Sequence, residues 1–331
     1  VGLKEVLTVP VTLFRAQMVR GDQGWVVVPS RTQTIAAKDV TEGSSKEPPL
    51  QLTSLPKGTQ IDTLTVSPDG QRLLFTILST GRDANEIRST MVSLRTDGSG
   101  GTEFISDGKS LDLMPSFSPG GETILFSSNR TGRRLSICTM SAVGAPGVTN
   151  LTSGESHDLW PSMDSDPKPR LFYQALFDTR PDPRLFAAQL GTVARTDLTT
   201  MGGTQPRINP KNDAILFASV NEKTGKRDLF RMSDRGGVPE NLTNTPDIDE
   251  FDAVWNKDGS RIAFVSDRGV DEDQRNNYDI WVMDLARPDQ PIQITTNPSH
   301  DDCPAWDPSG QFIYFRSNRG GEWNIWKINA Q

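Results

Sequence analysis

"DDCPAWDPSGQFIYFRSNRGGEWNIWKIN", residues 301–329, decides the fold. Its apolar residues come in short runs rich in Ile, Phe and Trp, cut by the turn "DPSG" at 307–310 and the polar loop "SNRGGE" at 317–322. No run is long enough, or spaced at three and four residues, to make an amphipathic helix. Pro at the second turn position presets φ and Gly at the fourth relieves the exit, which suits a type I turn. The stretch reads as three strands joined by tight connections.

The same order returns along the chain. "SPDG" at 67–70, "SPGG" at 118–121, "NPKN" at 209–212 and "NKDG" at 256–259 hold the turn position. Apolar runs centred on Phe75, Phe126, Phe172, Phe217, Phe264 and Phe315 match one another. About 20 residues before each, an aliphatic residue is followed by Thr or Ser: Leu52-Thr53, Ile105-Ser106, Leu151-Thr152, Leu198-Thr199, Leu242-Thr243 and Ile294-Thr295. These pairs recur every 44 to 53 residues, enough for four short strands. Such a repeat predicts an all-β propeller, because a single unit cannot bury both its faces.

An N-terminal copy extends the count. Leu7-Thr8 precedes Val28 of "GWVVVPS" by 20 residues, and the last unit stops at its third strand, "NIWKIN" at 324–329. Residues 4–8 have the pattern of the missing fourth strand. The expectation is one domain over 1–331, a seven-bladed β-propeller of four-stranded antiparallel blades closed by the N-terminal strand. Its approximate blades are 9–53, 54–106, 107–152, 153–199, 200–243, 244–295, and 296–331 plus 1–8. The alternative is six blades with an N-terminal extension, since "VRGDQG" at 19–24 makes no clean turn.

"SPDGQRLLF" (67–75), "VSDRG" (265–269) with "YDIWVMD" (278–284), and the 301–329 stretch resemble the TolB-type, WD40-like propeller repeat. The resemblance covers nearly the whole chain and is strongest in 61–154 and 247–331. It implies a β-propeller and an extracytoplasmic, periplasmic bacterial protein. TolB carries an α/β domain ahead of its propeller, and no such α/β segment is expected within residues 1–331. Similar propellers also cap tricorn-type and prolyl-oligopeptidase-type peptidases, whose chemistry lies in another domain.

The two histidines sit in "SHDLWPSM" (156–163) and "SHDDCPAW" (299–306). Aligned on the turns, His157-Asp158 and His300-Asp301 occupy one repeat position, with Asp112 and Glu250 as equivalents. The acidic residue therefore belongs to the repeat, as a cap or an Asx bond, and each His decorates it. Three blades apart in the expected ring, the two His give no evidence by themselves for a zinc or iron site.

In an antiparallel four-stranded blade, the blade-to-blade loops and the second-to-third loops share one face. That face collects His157, Asp158, Asp249, Glu250, His300, Asp301 and Asp302, with the loops 81–89 and 269–278. An acidic channel mouth would favour a protein or peptide partner that is basic, or a bound cation such as calcium; no other cofactor is expected. The candidate binding residues are His157, Asp158, Trp160, Glu250, His300, Asp301, Asp302 and Asp112, with Trp160 and Trp323 as exposed contacts. Arg130, Arg268 and Arg319, in "SSNR", "VSDR" and "RSNR", read as inter-blade ion pairs.

Composition narrows the classes. The formal net charge of −7, without a Lys/Arg block, argues against nucleic acid. No apolar run approaches the roughly 18 residues needed to span a bilayer. Val at position 1 is expected of a processed or truncated chain. Cys138 and Cys303 have no metal-ligand spacing and read as free thiols. There is no G-x-S-x-G elbow for a nucleophile. The preferred reading is a non-catalytic binding propeller within a larger assembly. The alternative is a peptidase propeller, or a channel-mouth hydrolase or lyase acting on peptide or carbohydrate.

Overall fold

The computed structural model describes residues 16–21, 24–29, 48–80, 87–143, 147–152, 154–180, 182–192, 194–269 and 277–330. Six four-stranded antiparallel sheets follow one another, and the innermost strand of each touches the innermost strand of the next. Those innermost strands are Gln60–Val66, Asp112–Phe117, Ser156–Met163, Thr204–Ile208, Glu250–Trp255 and Asp301–Trp306, in blades 1 to 6. Blade 6 touches blade 1 in turn, so the ring closes as a propeller of six blades.

The expectation of seven blades is thus corrected to six among the described residues. The fourth strand of the last blade is Leu50–Gln51, which pairs with Asn324–Asn329 at the edge assigned from sequence to residues 4–8. Residues 4–8 lie outside the described residues. Ala16–Gly21 and Gly24–Pro29, expected in a first blade over 9–53, form a separate two-stranded hairpin. The fourth strands are only two or three residues long, so a short Leu-Thr pattern is too little sequence to fix the blade count.

That pattern has a definite job. The aliphatic N–H bonds the third strand of its own blade: Leu52 to Ile325, Ile105 to Met91, Leu151 to Ile137, Leu198 to Leu185, Leu242 to Leu229 and Ile294 to Ile280, at 2.7–2.9 Å. The hydroxyl of Thr53, Ser106, Thr152, Thr243 and Thr295 then accepts the N–H of the same third-strand residue at 2.9–3.0 Å. A hydroxyl replaces one rung of the ladder, so the short edge strand leaves few unpaired groups.

The turns behave as read. Gly70, Gly121, Asn212, Gly259 and Gly310 each donate an N–H to the first turn residue three positions back, at 2.8–3.0 Å. Gly70 has φ 75°, and a Cβ there would lie 3.3 Å from Pro308 of the adjacent blade's turn. Glycine therefore lets neighbouring turns pack edge to edge. Phe75, Phe126, Phe172, Phe217, Phe264 and Phe315 are all at most 1% exposed and fill the spaces between sheets. Each contributes about 1.5–3 kcal/mol by burial.

Candidate functional site

Each innermost strand carries one β-bulge. Its register slips between Ile61/Leu64, Leu113/Ser116, Leu159/Ser162, Thr204/Arg207, Phe251/Val254 and Asp302/Ala305. The first bulge residue is left-handed in five blades: Met114 (φ 54°), Trp160 (57°), Gln205 (58°), Asp252 (54°) and Cys303 (51°). For non-glycine residues this conformation costs roughly 1–2 kcal/mol each. The second bulge residue is Pro115, Pro161, Pro206 or Pro304 in four blades. Proline has no N–H to lose where the ladder is interrupted. This is the Pro four residues after each histidine.

With Asp62 of blade 1, the first bulge residues form a ring around the propeller axis, all at most 7% exposed. They link head to tail. Met114 N–H donates to Asp62 Oδ2 (3.0 Å), Trp160 N–H to Met114 Sδ (3.3 Å) and Asp252 N–H to Gln205 Oε1 (2.9 Å). The indole of Trp160 offers no oxygen, and Gln205 N–H turns to Gln174 Oε1 instead (3.3 Å). The Cys303 side chain lies next to Asp252.

Two guanidinium groups join this ring. Arg316 chelates Asp302 through Nε and Nη2 and donates Nη1 to the Ile61 carbonyl of blade 1. Arg207 lies over the Trp160 ring at 5.1 Å and feels Asp252 and Cys303 from the next two blades. Among the described residues Arg207 makes no ion pair and no side-chain hydrogen bond. Burial lowers its pKa, offset by Asp252. Burial pushes Asp62 up to about 6, against the Met114 N–H and the Arg316 charge. It raises Asp252 too, and holds the Cys303 thiol well above its ordinary value.

The repeat carboxylates expected to form an acidic mouth are placed differently. Asp112 takes Arg130 Nη2 on both oxygens at 2.8 Å, Glu250 takes Arg268 Nε at 2.7 Å, and Asp301 takes Arg319 Nη2 at 2.6 Å. In each case the Arg stands eighteen positions later in the same blade. The pairs expected between blades are therefore within blades, because the second strand returns its Arg beside the start of the first. Asp249 likewise holds Arg227, which keeps its pKa below the usual range despite burial. Asp158 has no such arginine. Ser156 Oγ donates to it at 2.6 Å, and burial pushes it up to about 6.

His157 is 4% exposed, and its Nδ1 accepts the Leu135 N–H at 3.1 Å. His300 is half-buried with its ring edge-on to Tyr278 at 5.1 Å. They stand on blades 3 and 6, opposite in the ring, and are not brought together. Trp160 and Trp323, expected as exposed contacts, are 2% and 6% exposed. Trp160 lies in the axial ring under Arg207, and Trp323 lies under Arg316 at 4.9 Å. Among the described residues no group of three or more His, Cys, Asp or Glu is placed to hold a metal ion. Asp62, Gln205, Arg207, Asp252 and Arg316 were missed by sequence reasoning. Asp62, Gln205 and Asp252 share the first bulge position of an innermost strand, Arg207 follows Gln205 by two residues, and Arg316 comes from a second strand, so no single residue type or spacing marks the set.

Among the described residues these features define a six-bladed propeller with a closed polar ring on its axis, and the fold is the TolB-type β-propeller. TolB from Acinetobacter baumannii superposes with a TM-score of 0.59 at 19% identity, covering 83% of this chain and 64% of that one. Oligogalacturonate lyase from Vibrio parahaemolyticus has the same fold, with a TM-score of 0.59 at 12% identity over 90% of this chain and 98% of that one. In sequence, an uncharacterized protein of Agrobacterium fabrum is 28% identical over 137 residues, 41% of this chain and 43% of that protein. The match thus spans less than half of that curated relative. No family model matches the chain.

Proposed function

We propose that this chain is a binding propeller that receives a protein or peptide partner at an end of its axial channel, as a subunit of a larger extracytoplasmic assembly. The observation that carries the reading is the axial ring. Five left-handed non-glycine residues are held at one repeat position, and strain of this kind persists where a site is over-determined by its surroundings. The resemblance to the TolB-type repeat supports a periplasmic location. Among the described residues no helix is long and apolar enough to cross a membrane.

The acidic loop face gives less support than its composition suggested, because Asp112, Glu250, Asp301, Asp249 and Asp302 are neutralised by Arg130, Arg268, Arg319, Arg227 and Arg316, and Asp158 is buried. The lyase with the same fold keeps an enzymatic reading in view. Catalysis would require a carboxylate free to exchange a proton with a substrate, and Asp112, Glu250 and Asp301 are occupied by guanidinium groups. Binding is favoured.

The test is photo-crosslinking from p-benzoylphenylalanine, placed in the source cell at Lys211 or Asp258 on the turn face, Lys109 or Glu155 on the loop face, and Phe104 on the outer edge. Discrete adducts from an end face and none from Phe104 are expected. Adducts from Phe104 alone, or from no position, would remove the reading.

A further inference from the structure

The axial ring divides the channel into two unlike halves. On the loop-face side the innermost strands are sealed: Asp112, Asp158, Glu250 and Asp301 are each at most 1% exposed. Just beyond the ring, toward the turns, Ser116, Arg207 and Val254 occupy the matching position in three blades and keep part of their surface exposed. Arg207 is therefore an interior cation on the accessible side of a constriction.

Among the described residues no carboxylate pairs with it. Asp302, one acid of the cluster, is chelated by Arg316. Asp252 accepts no ion pair from Arg207, although its charge reaches the guanidinium. Asp62 accepts the Met114 and Thr63 donors and faces Arg316. The guanidinium carbon of Arg207 lies 5.1 Å from the Trp160 ring centroid, a cation–π contact that holds the group beside the indole. A planar fork of N–H donors on an aromatic floor matches a carboxylate, which can take two parallel hydrogen bonds. Partial desolvation weakens the competition of water for the Arg207 cation, so an entering anion is held more strongly than at an open surface.

Resting on the binding reading above, we propose that Arg207 on Trp160 is a carboxylate-docking site, entered from the turn face, that anchors an acidic group of the ligand. The carboxylate belongs either to a polypeptide partner or to a small free acid, and the two sources separate experimentally.

The probes are acetyl-Gly-Gly-Gly-Glu-amide, its Gln counterpart and succinate, titrated calorimetrically into the full chain. The Glu peptide should bind at least tenfold more tightly than the Gln peptide. Arg207→Gln should remove that difference, and Arg207→Lys should keep part of it, retaining the charge without the fork. Succinate binding as well as the Glu peptide assigns a small acid; binding by the peptide alone assigns a polypeptide.

Equal affinity of the Glu and Gln peptides, absence of binding by either carboxylate probe, or an undiminished preference in Arg207→Gln would overturn the proposal. Should Arg207→Gln fail to fold, the wild-type chain decides: the Glu peptide or succinate must shift the Arg207 Nε–Hε resonance, and an unmoved resonance overturns it. End-face adducts that persist unchanged in Arg207→Gln would sink carboxylate docking while leaving the binding reading intact. Absence of adducts with Arg207-dependent probe binding would do the reverse.

Discussion

Replacing Arg319 by Met removes one partner of the most deeply placed repeat ion pair. The side chains of Arg319 and Asp301 are 8% and 0% exposed, with Nη2 to Oδ2 at 2.6 Å. Arg319 also donates Nε to Ser317 Oγ at 3.0 Å and lies over Phe315 and Trp326 at 5.1 and 5.2 Å. Methionine keeps much of the apolar stem and deletes the charge. Stranding a buried carboxylate in this way costs about 3–5 kcal/mol, against about 0–1 kcal/mol for an exposed pair.

The loss must depend on pH. Burial already raises the Asp301 pKa, Arg319 opposes that rise, and Asp279 nearby is raised by burial and by the Asp301 charge. Without Arg319 the folded pKa climbs further while the unfolded value stays near about 3.9. A carboxyl raised in the folded state loses stability as pH rises between those two values. Urea unfolding with an unchanged m-value should therefore show a larger deficit at pH 8 than at pH 5. Arg268→Met and Arg130→Met, whose Arg side chains are 19% and 25% exposed, should cost progressively less. A deficit for Arg319→Met below about 1 kcal/mol at pH 8, or a reversed order among the three, would refute the argument.

Blade 3 supplies the complementary test: Asp158 sits near 6 without an arginine, so its ionisation should cost the wild type stability as pH rises from about 4 to 6. Asp158→Asn should flatten that decline, worth about 2–3 kcal/mol in urea titrations at pH 4 and 8; an unchanged slope would contradict it. Asn324 Oδ1 accepts Thr53 Oγ1 at 3.0 Å and Leu55 N–H at 2.9 Å, latching the closing strand. Asn324→Ala should lower stability by about 1–3 kcal/mol, and an unmoved urea midpoint would deny the latch. Cys138 and Cys303 are buried and unlinked. Maleimide should therefore label both in urea without reductant and neither in the native protein, as mass spectrometry would show.

The strand order and turns were legible because they rest on residue types with fixed roles: Pro-x-Gly turns, aliphatic-Thr edge strands and a central Phe. Ring size was not, because Leu52-Thr53 and Leu7-Thr8 carry one pattern and only closure distinguishes them. The arginine partners were visible at a constant offset of eighteen from Asp112, Glu250 and Asp301, yet spacing could not say whether a pair joins strands or blades. The axial ring escaped altogether. Asp62, Met114, Trp160, Gln205, Asp252 and Cys303 share a backbone conformation or a bulge, not a chemistry, and a sequence displays no φ angle. Trp160 and Trp323 broke the repeat and were read as exposed. Each instead supplies an aromatic floor to a buried arginine, an irregular contact that periodicity does not encode.

The latch joins residues 271 apart in sequence. By chain statistics, closing so long a loop costs about 3 kcal/mol more entropy than closing a ten-residue hairpin. Blades, built from neighbouring strands, can form early, so the seam between Leu50–Gln51 and Asn324–Asn329 is expected to form last. The order reverses under load. A pull on the chain ahead of residue 50 reaches a two-residue strand before it reaches any complete sheet. Tension applied there should therefore open the ring at its seam while the other blades remain folded.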